Sequence, residues 1–220
     1  MQKFWVIRKK PYRETSAILT VLVNDNRLLR CIARGGSKVS EFQPLFGVLS
    51  TKGSASQLSK IEPVGPRLPL AGVELISALY LNEITHWIIA EGAEVDGLFD
   101  AYTRSITQIS QSNLVVLRDF ERILLEAAGQ YPLLDQDREG NALRDNAYYR
   151  LHDLQKLVEV NPDEVDALAT VDWQFLASGE YSRPTTAKYA KWLHRMLIDA
   201  AVGGRRLVSR EMLLEVGKSK

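Results

Sequence analysis

The spacing of apolar residues changes abruptly at three closely placed prolines, Pro63, Pro66 and Pro69. Before them, short runs rich in β-branched and aromatic residues alternate with polar breaks, which is typical of β-strands. After them, apolar residues recur every three or four positions, which is the period of an amphipathic helix. The sequence therefore predicts an α+β architecture, with a β-structure followed by a helical structure.

Five strand candidates precede the prolines. They are Lys3–Arg8, Ser16–Asn24, Arg27–Arg34, Pro44–Thr51 and Gln57–Val64. The second candidate is apolar at both sets of alternating positions, so we expect it to be buried on both faces. Asn24, Asp25 and Asn26 predict a hairpin turn after it. Five short strands in about 65 residues match a Greek-key barrel of the OB type. Residues 1–68 are therefore predicted to form this barrel domain.

Residues 69–220 are predicted to form a helical domain. Three helices are expected first, from the periodic apolar positions in 75–88, 98–109 and 114–128. Gly129 follows the third of these helices and is predicted to end it, because glycine readily adopts the left-handed conformation of a helix C-cap.

Residues 131–150 are interpreted as a loop-rich insertion, since they contain Pro132, Gly140 and several Asp and Asn residues. Further helices are predicted at Asp163–Leu176, Thr185–Ala201 and Ser209–Val216. Ser209 is expected to be the N-cap of the last helix, because its hydroxyl can accept a hydrogen bond from a free backbone N–H.

The charge is divided unevenly along the chain, although the net charge is only +1. Residues 1–67 carry twelve basic and four acidic side chains, a net charge of +8. The remaining sixteen basic and twenty-three acidic side chains give residues 68–220 a net charge of −7. This asymmetry predicts a polyanionic partner for the first part of the chain and a different kind of partner for the rest.

Motifs of common enzyme classes are missing from the sequence. No G-x-G-x-x-G, G-x-S-x-G or H-E-x-x-H pattern occurs, so nucleotide, hydrolase and zinc-protease chemistry lack support. Cys31 lies in an apolar strand and is interpreted as a small buried hydrophobic residue. His86 is interpreted as a core or partly exposed histidine. One cysteine and three scattered histidines do not predict a metal site, and we expect a non-enzymatic protein without a cofactor.

Targeting and membrane signals are also missing. The first residues, MQKFWVIRKKPYRE, contain charges and no apolar run long enough for a signal peptide or a membrane span. A cytoplasmic protein without membrane contact is therefore expected.

Basic side chains occur at the ends of the predicted strands, with aromatic side chains among them. Phosphates require cations and unstacked bases require flat partners, so this combination predicts nucleic-acid binding. The candidate phosphate contacts are Arg8, Lys9, Lys10, Arg13, Arg34, Lys38 and Lys52. The alternative is a solvated basic surface with the aromatic side chains in the core, which is where we expect Phe4 and Trp5.

Three stretches resemble the family of the bacterial DNA repair and recombination protein RecO. They are PYRETS at 11–16, ARGGSK at 33–38 and LYLNE at 79–83. Weaker similarities are LFDAY at 98–102, LRDFE at 117–121 and GGRRLVSRE at 203–211. These stretches follow the order of the family over nearly the whole chain.

The resemblance implies an OB-fold domain joined to a helical domain, in agreement with the apolar pattern. It also implies a protein of the nucleoid that binds single- and double-stranded DNA and anneals complementary strands. Family members work with RecR, and sometimes RecF, to load RecA onto DNA coated by single-stranded DNA-binding protein (SSB).

Family members also bind the acidic tail of SSB, in some cases through an apolar groove with basic residues on the helical domain. The matching segment here contains Arg118 and Arg122, four positions apart on one helix face, beside Leu114 and Leu125. The resemblance thus assigns these four residues to the SSB tail. The alternative is that the arginines pair with Glu121 or Glu126.

The sequence departs from the family in two places. Many relatives hold zinc with four cysteines between the helices, and the corresponding residues 131–149 contain no cysteine. The loop after ARGGSK is short and contains Glu41, where relatives often have more basic residues. We therefore expect no zinc ion and a weaker contribution of this loop to DNA binding.

Two other functions fit the same composition. An OB module that binds RNA would need the same cations and aromatic rings, and a protein adaptor could use the basic barrel to bind an acidic partner. Failure to anneal strands on SSB-coated DNA would favour the RNA-binding module over the repair protein. Absence of DNA binding at low salt would favour the adaptor.

Overall fold

The computed structural model describes residues 1–52, 55–110 and 115–218. The chain forms two compact units, one of residues 1–124 with 205–220 and one of residues 125–204. The predicted domains, residues 1–68 and 69–220, are a different kind of division from these contact-based units. Their boundary after residue 68 therefore stays a prediction.

The first unit begins with a five-stranded barrel. Its strands are β1 (Gln2–Tyr12), β2 (Ser16–Val23), β3 (Leu28–Arg34), β4 (Leu45–Lys52) and β5 (Ala55–Pro63). The barrel closes in the order β1-β2-β3-β5-β4, and β3 and β5 form its parallel pair. The predicted OB-type barrel is confirmed. Only β1 is markedly longer than expected, since it continues past Arg8 to Tyr12.

Both faces of β2 contribute to the packing of the first unit. Leu19 and Val21 point into the barrel core and are fully buried. Leu22 points outward and is also fully buried, beside Trp5 of β1 and Leu28 of β3 in the strand register. The predicted two-sided burial of this strand is therefore confirmed.

Four helices of the described residues complete the first unit, and the third of them ends within the second unit. They are α1 (Gly72–Ile88), α2 (Leu98–Gln108), α3 (Val115–Ala127) and α6 (Val208–Lys218). Trp5 joins the barrel to α2, because its Nε1 donates to Thr103 Oγ1 at 2.8 Å and its ring lies 5.8 Å from that of Tyr102. Asn26, in the hairpin turn after β2, accepts a hydrogen bond from Phe99 N at the start of α2.

The ends of two helices test the predicted caps. Gly129 has a φ of 65° and follows α3, and the N–H groups of Gly129 and Gln130 donate to Glu126 and Leu125, as predicted for a glycine cap. The N-cap prediction for Ser209 is wrong. Ser209 lies inside the first turn of α6, and the carboxylate of Glu83 accepts its hydrogen bonds instead.

The second unit contains more β-structure than the sequence predicts. It holds the strands β6 (Tyr148–His152), β7 (Lys156–Val160) and β8 (Leu168–Ala169) and the helices α4 (Thr170–Ser178) and α5 (Pro184–Ala201). The predicted helix Asp163–Leu176 is wrong in its first half, because turns and β8 precede α4. Trp173 of α4 fixes this arrangement by donating from Nε1 to the carbonyl of Tyr149 in β6.

Among the helices of the described residues, none is both long and apolar enough to cross a lipid bilayer.

Candidate nucleic-acid interface

A β-bulge in β1 directs three side chains to the outside of the barrel. Phe4 and Val6 point into the core, and strict alternation along a strand would send Arg8 inward as well. The pairing with β2 shifts by one residue between Val6 and Arg8, so Ile7 is the extra residue. After this shift Arg8, Lys10 and Tyr12 face outward, where Arg8 and Lys10 are exposed.

The strand register places further basic side chains on the same outer face. Arg8 lies opposite Thr20, which lies opposite Arg30, so these two arginines are two strands apart, at about 10 Å between their backbones. Further along the strands, Tyr12 and Arg34 flank Ser16 in the same way. Successive rows lie about 7 Å apart along the strands. We call this surface of β1–β3 the basic face.

The loop after β3 continues the basic face at one end of the barrel. Gly35 has a φ of 73°, and Gly36 packs so closely that a Cβ there would lie 2.8 Å from the Cβ of Ala33. This close contact draws the loop onto the barrel end, where Ser37 Oγ donates to the Thr15 carbonyl in the β1–β2 loop. The exposed side chains of Arg34 and Lys38 lie on either side of this turn.

Lys9 binds the same loop through its ammonium group. It is the residue between two outward-facing side chains, and its Nζ donates to the carbonyls of Ser37 and Val39 at 2.7 and 2.8 Å. Two of its three N–H donors are thus used inside the protein. Arg13 lies in the β1–β2 loop with its guanidinium 5.2 Å from the ring of Tyr12.

At the other end of the basic face, an open cleft lies between the barrel and the end of α1. Arg8, Lys10 and Arg30 line it from the strands, and His86 and Glu91 line it from α1 and the segment that follows. The Arg8 guanidinium is hydrogen-bonded to His86 Nε2. Because a guanidinium only donates, His86 must be neutral with Nε2 as the acceptor. Burial, and then the charges of Arg8 and Arg30, lower the pKa of His86.

Trp87 adds an aromatic surface next to this cleft. Its side chain is 38% exposed, and the guanidinium carbons of Arg8 and Arg205 lie 5.8 and 5.1 Å from its ring. These distances are within the range of cation–π contacts. Trp87, His86 and Arg205 were not predicted as members of this site, because only the packing of α1 against β1, and of α6 against α1, brings them beside the basic face.

The seven predicted phosphate contacts are thus distributed unequally. Arg8 and Lys10 lie at the cleft, while Arg13, Arg34 and Lys38 are exposed around the end of the barrel. Lys9 is engaged with the loop. The backbone of Lys52 ends β4, and its side chain lies outside the described part of the protein.

The residues assigned to the SSB tail have different environments. Arg118 Nη1 lies 2.5 Å from Glu121 Oε2, and Glu121 is only 1% exposed. The hydroxyl of Tyr80 donates to the other carboxylate oxygen at 2.6 Å, and burial beside Glu121 raises the pKa of Tyr80. Arg122 is half-buried and Leu125 fully buried. Leu114 lies outside the described residues.

Of the aromatic residues in the basic segment, Phe4 and Trp5 are in the core as expected, and so is Phe42. Tyr12 is half-buried and Phe46 is 39% exposed. Cys31 is buried in the barrel, and this burial raises the pKa of its thiol to about 12, so its interpretation as a core residue is confirmed. Within residues 1–52, 55–110 and 115–218, no group of three or more His, Cys, Asp and Glu side chains is arranged to hold a metal ion.

Known proteins match nearly the whole chain. The family model for the C-terminal part of recombination protein O matches residues 71–207. The DNA repair protein RecO of Ralstonia nicotianae is 30% identical over 230 residues, which cover 99% of this chain and 85% of the relative. The RecO proteins of Burkholderia lata and Alteromonas mediterranea are 31% and 29% identical, over 98% and 96% of this chain and 82% and 95% of those relatives. The chain therefore belongs to the RecO family of DNA repair proteins.

Proposed function

We propose that this protein is a non-enzymatic mediator of recombinational repair that binds single- and double-stranded DNA on the basic face. The observation that carries the proposal is the bulge at Ile7, which turns Arg8 and Lys10 outward and places Arg8 in register with Arg30 on β3. In OB-type barrels, the face of the second and third strands and the loops beside it are the usual site for nucleic acid.

The binding mechanism is electrostatic. Cations along the basic face neutralise phosphates and release the counterions that surround DNA, and this release drives binding independently of sequence. Neutralisation also lowers the repulsion between two DNA strands held at the same surface. The approach of complementary strands, and hence annealing, follows from this effect.

The partners in this proposal come from the RecO family. They are RecR, the C-terminal tail of SSB and, in some members, RecF, and their joint task is to load RecA onto SSB-coated single strands at the nucleoid. The acidic surplus of residues 68–220 supports a division in which this part binds proteins more than DNA. Arg118 and Arg122, beside Leu114 and Leu125, are the proposed contacts of the SSB tail, and Arg118 would exchange its contact with Glu121 for the tail.

A triple variant tests DNA binding on the basic face. Lys10→Ala, Arg34→Ala and Lys38→Ala remove three exposed cations from β1, β3 and the loop after β3. The slope of log affinity against log salt should fall by about 0.7 for each single-strand phosphate contact that is lost. The measurement is a titration of fluorescent single- and double-stranded DNA with the full chain at several salt concentrations.

The matched control changes two lysines and one arginine on α5 of the second unit, Lys188, Lys191 and Arg195, to alanine. These side chains are also exposed, and the control should keep the wild-type slope. Equal slopes for the two triple variants would contradict the assignment. Annealing of SSB-coated complementary strands, with and without RecR, separates a repair mediator from an RNA-binding module, which should prefer RNA and fail in this assay.

A further inference from the structure

Trp87 lies where one histidine ring and two guanidinium groups contact the same indole. It is in the last turn of α1, next to His86, whose ring centroid lies 4.7 Å from that of the indole. Arg8 of β1 and Arg205, just before α6, contact the same indole from separate elements of the fold. Three parts of the first unit therefore position one partly exposed aromatic ring beside the cleft.

Exposure of a single tryptophan does not by itself indicate a function, so the neighbours of Trp87 decide its role. Core packing already involves two of the other three tryptophans, since Trp5 and Trp173 are 2% and 0% exposed. Trp87 instead keeps 38% of its surface accessible among three arginines, counting Arg30 across the cleft. This surrounding is poorly suited to an apolar protein partner and well suited to a flat, anionic ligand.

We infer that Trp87 is a stacking platform for an unpaired base, with the flanking phosphates bound by Arg8, Arg30 and Arg205. The inference rests on the proposed DNA-binding function and adds a preference for single strands. A base within a duplex is stacked on both sides and cannot offer its face to the indole, whereas a base in a single strand can. The basic face binds either form through phosphates, and Trp87 favours the unpaired one.

The guanidinium groups of Arg8 and Arg205 lie over the indole and can also bind phosphate. Arginine stacks on aromatic rings and forms bidentate contacts with phosphate, so it can exchange one contact for the other at little cost. When a base takes its place on the ring, the guanidinium remains within reach of the phosphate of the same nucleotide.

The test uses the full chain, a fluorescein-labelled oligothymidine and a labelled duplex of similar length. Trp87→Ala should weaken binding of the oligothymidine by between about fivefold and 150-fold, which is the range expected for one stacked base. Binding of the duplex should change less than about twofold, because phosphate contacts alone determine it. Trp87→Phe should lie between the wild type and Trp87→Ala, since it keeps a smaller ring.

Trp192→Ala is the matched control, because Trp192 is 41% exposed on α5 of the second unit. It should bind both probes like the wild type. Tryptophan emission gives a second measurement: oligothymidine should quench the wild type and the Trp192→Ala variant, and this quenching should be lost in Trp87→Phe.

The outcomes separate the inference from the function on which it rests. An equal loss for both probes in Trp87→Ala, or no loss for the oligothymidine, would overturn the stacking platform and leave DNA binding intact. A wild-type protein that binds neither probe at low salt would overturn both.

Discussion

The carboxylate of Glu83 in α1 caps the helix that contains Ser209. Its Oε2 accepts hydrogen bonds from the backbone N and the Oγ of Ser209, at 3.0 and 2.5 Å, and its Oε1 accepts one from Val208 N at 3.0 Å. Glu83 ends the stretch LYLNE and Ser209 lies in GGRRLVSRE, 126 positions later. Two of the stretches that resemble the RecO family are thus in direct contact.

Replacing Glu83 by alanine should destabilise the first unit. The change removes the acceptor for two of the free N–H groups at the start of α6 and the negative charge beside the positive end of the helix dipole. We expect the free energy of unfolding to fall by about 1–2 kcal/mol, the usual cost of a lost cap. Urea denaturation followed by circular dichroism measures this change.

Ser209→Ala provides the graded comparison, because it removes only one of the three hydrogen bonds. Glu83→Gln should also be intermediate, since its amide oxygen can accept one N–H while the charge is lost. Identical unfolding midpoints for Glu83→Ala and Ser209→Ala would show that the backbone caps are unimportant.

The barrel could be predicted from the sequence because its signals are local. Each signal lies within a few neighbouring residues: the β-branched residues, the turn Asn24–Asn26 and the two-sided apolar pattern of β2. The strands and the hairpin that these signals predict were confirmed. The bulge at Ile7 gives no such signal, since Phe4 to Ile7 is simply an apolar run. The outward direction of the Arg8 and Lys10 side chains therefore could not be predicted from the sequence.

The parts that could not be predicted depend on contacts distant in the sequence. Ser209 is a good N-cap residue locally, yet a carboxylate from α1 outcompetes it. Trp87 lies beside the basic face only because α1 packs against β1. The strands β6 and β7 have only five residues each, and the burial of Tyr149, Leu151 and Leu157 that stabilises them comes from elsewhere in the second unit.

Lys9 and Lys10 are neighbours with opposite expected roles. Lys10→Ala should lower the salt dependence of DNA binding and leave the melting temperature unchanged, because its side chain is exposed on the basic face. Lys9→Ala should lower the melting temperature, because it leaves the carbonyls of Ser37 and Val39 without their ammonium donor.

Thermal unfolding and DNA titrations of the two single variants measure both effects. Lys9 was predicted as a phosphate contact, and that assignment stays a prediction. A stable Lys9→Ala variant with a reduced salt slope would support it and contradict the loop-holding role.

Arg118 and Arg122 both lie in the segment assigned to the SSB tail, and Arg118 is also expected to stabilise the fold. Arg118→Ala removes the guanidinium that lies 2.5 Å from the carboxylate of Glu121, which is 1% exposed. Breaking a buried ion pair in this way should lower the free energy of unfolding by roughly 3 kcal/mol. Arg122→Ala should weaken binding of a fluorescent SSB-tail peptide, and titration with this peptide tests its assignment.

Replacing both partners tests this interpretation of Arg118. Arg118→Met combined with Glu121→Leu removes both charges of the pair and should recover much of the stability lost in Arg118→Ala. If Arg118→Ala unfolds like the wild type and loses peptide binding, Arg118 is an SSB contact and does not stabilise the fold.

His86 should couple DNA binding to pH. Arg8, Lys10 and Arg30 face it from the barrel and Glu91 from the segment after α1, and its pKa lies below the ordinary value of 6.5. The unfolded chain therefore binds the proton more tightly than the folded chain. The contribution of His86 to stability is present above pH 6.5 and is lost as the pH falls from 6.5 through the lowered pKa.

Bound phosphate has the opposite effect, because an anion in the cleft stabilises the charged imidazolium and raises the pKa of His86. DNA binding should therefore take up a proton, and affinity should increase as the pH is lowered from about 7.5 to about 5.5. His86→Gln keeps an acceptor for Arg8 and should lose this part of the pH dependence, while His152→Gln, on β6 of the second unit, should retain it. Parallel pH profiles for the wild type and His86→Gln would place the DNA phosphates away from the cleft.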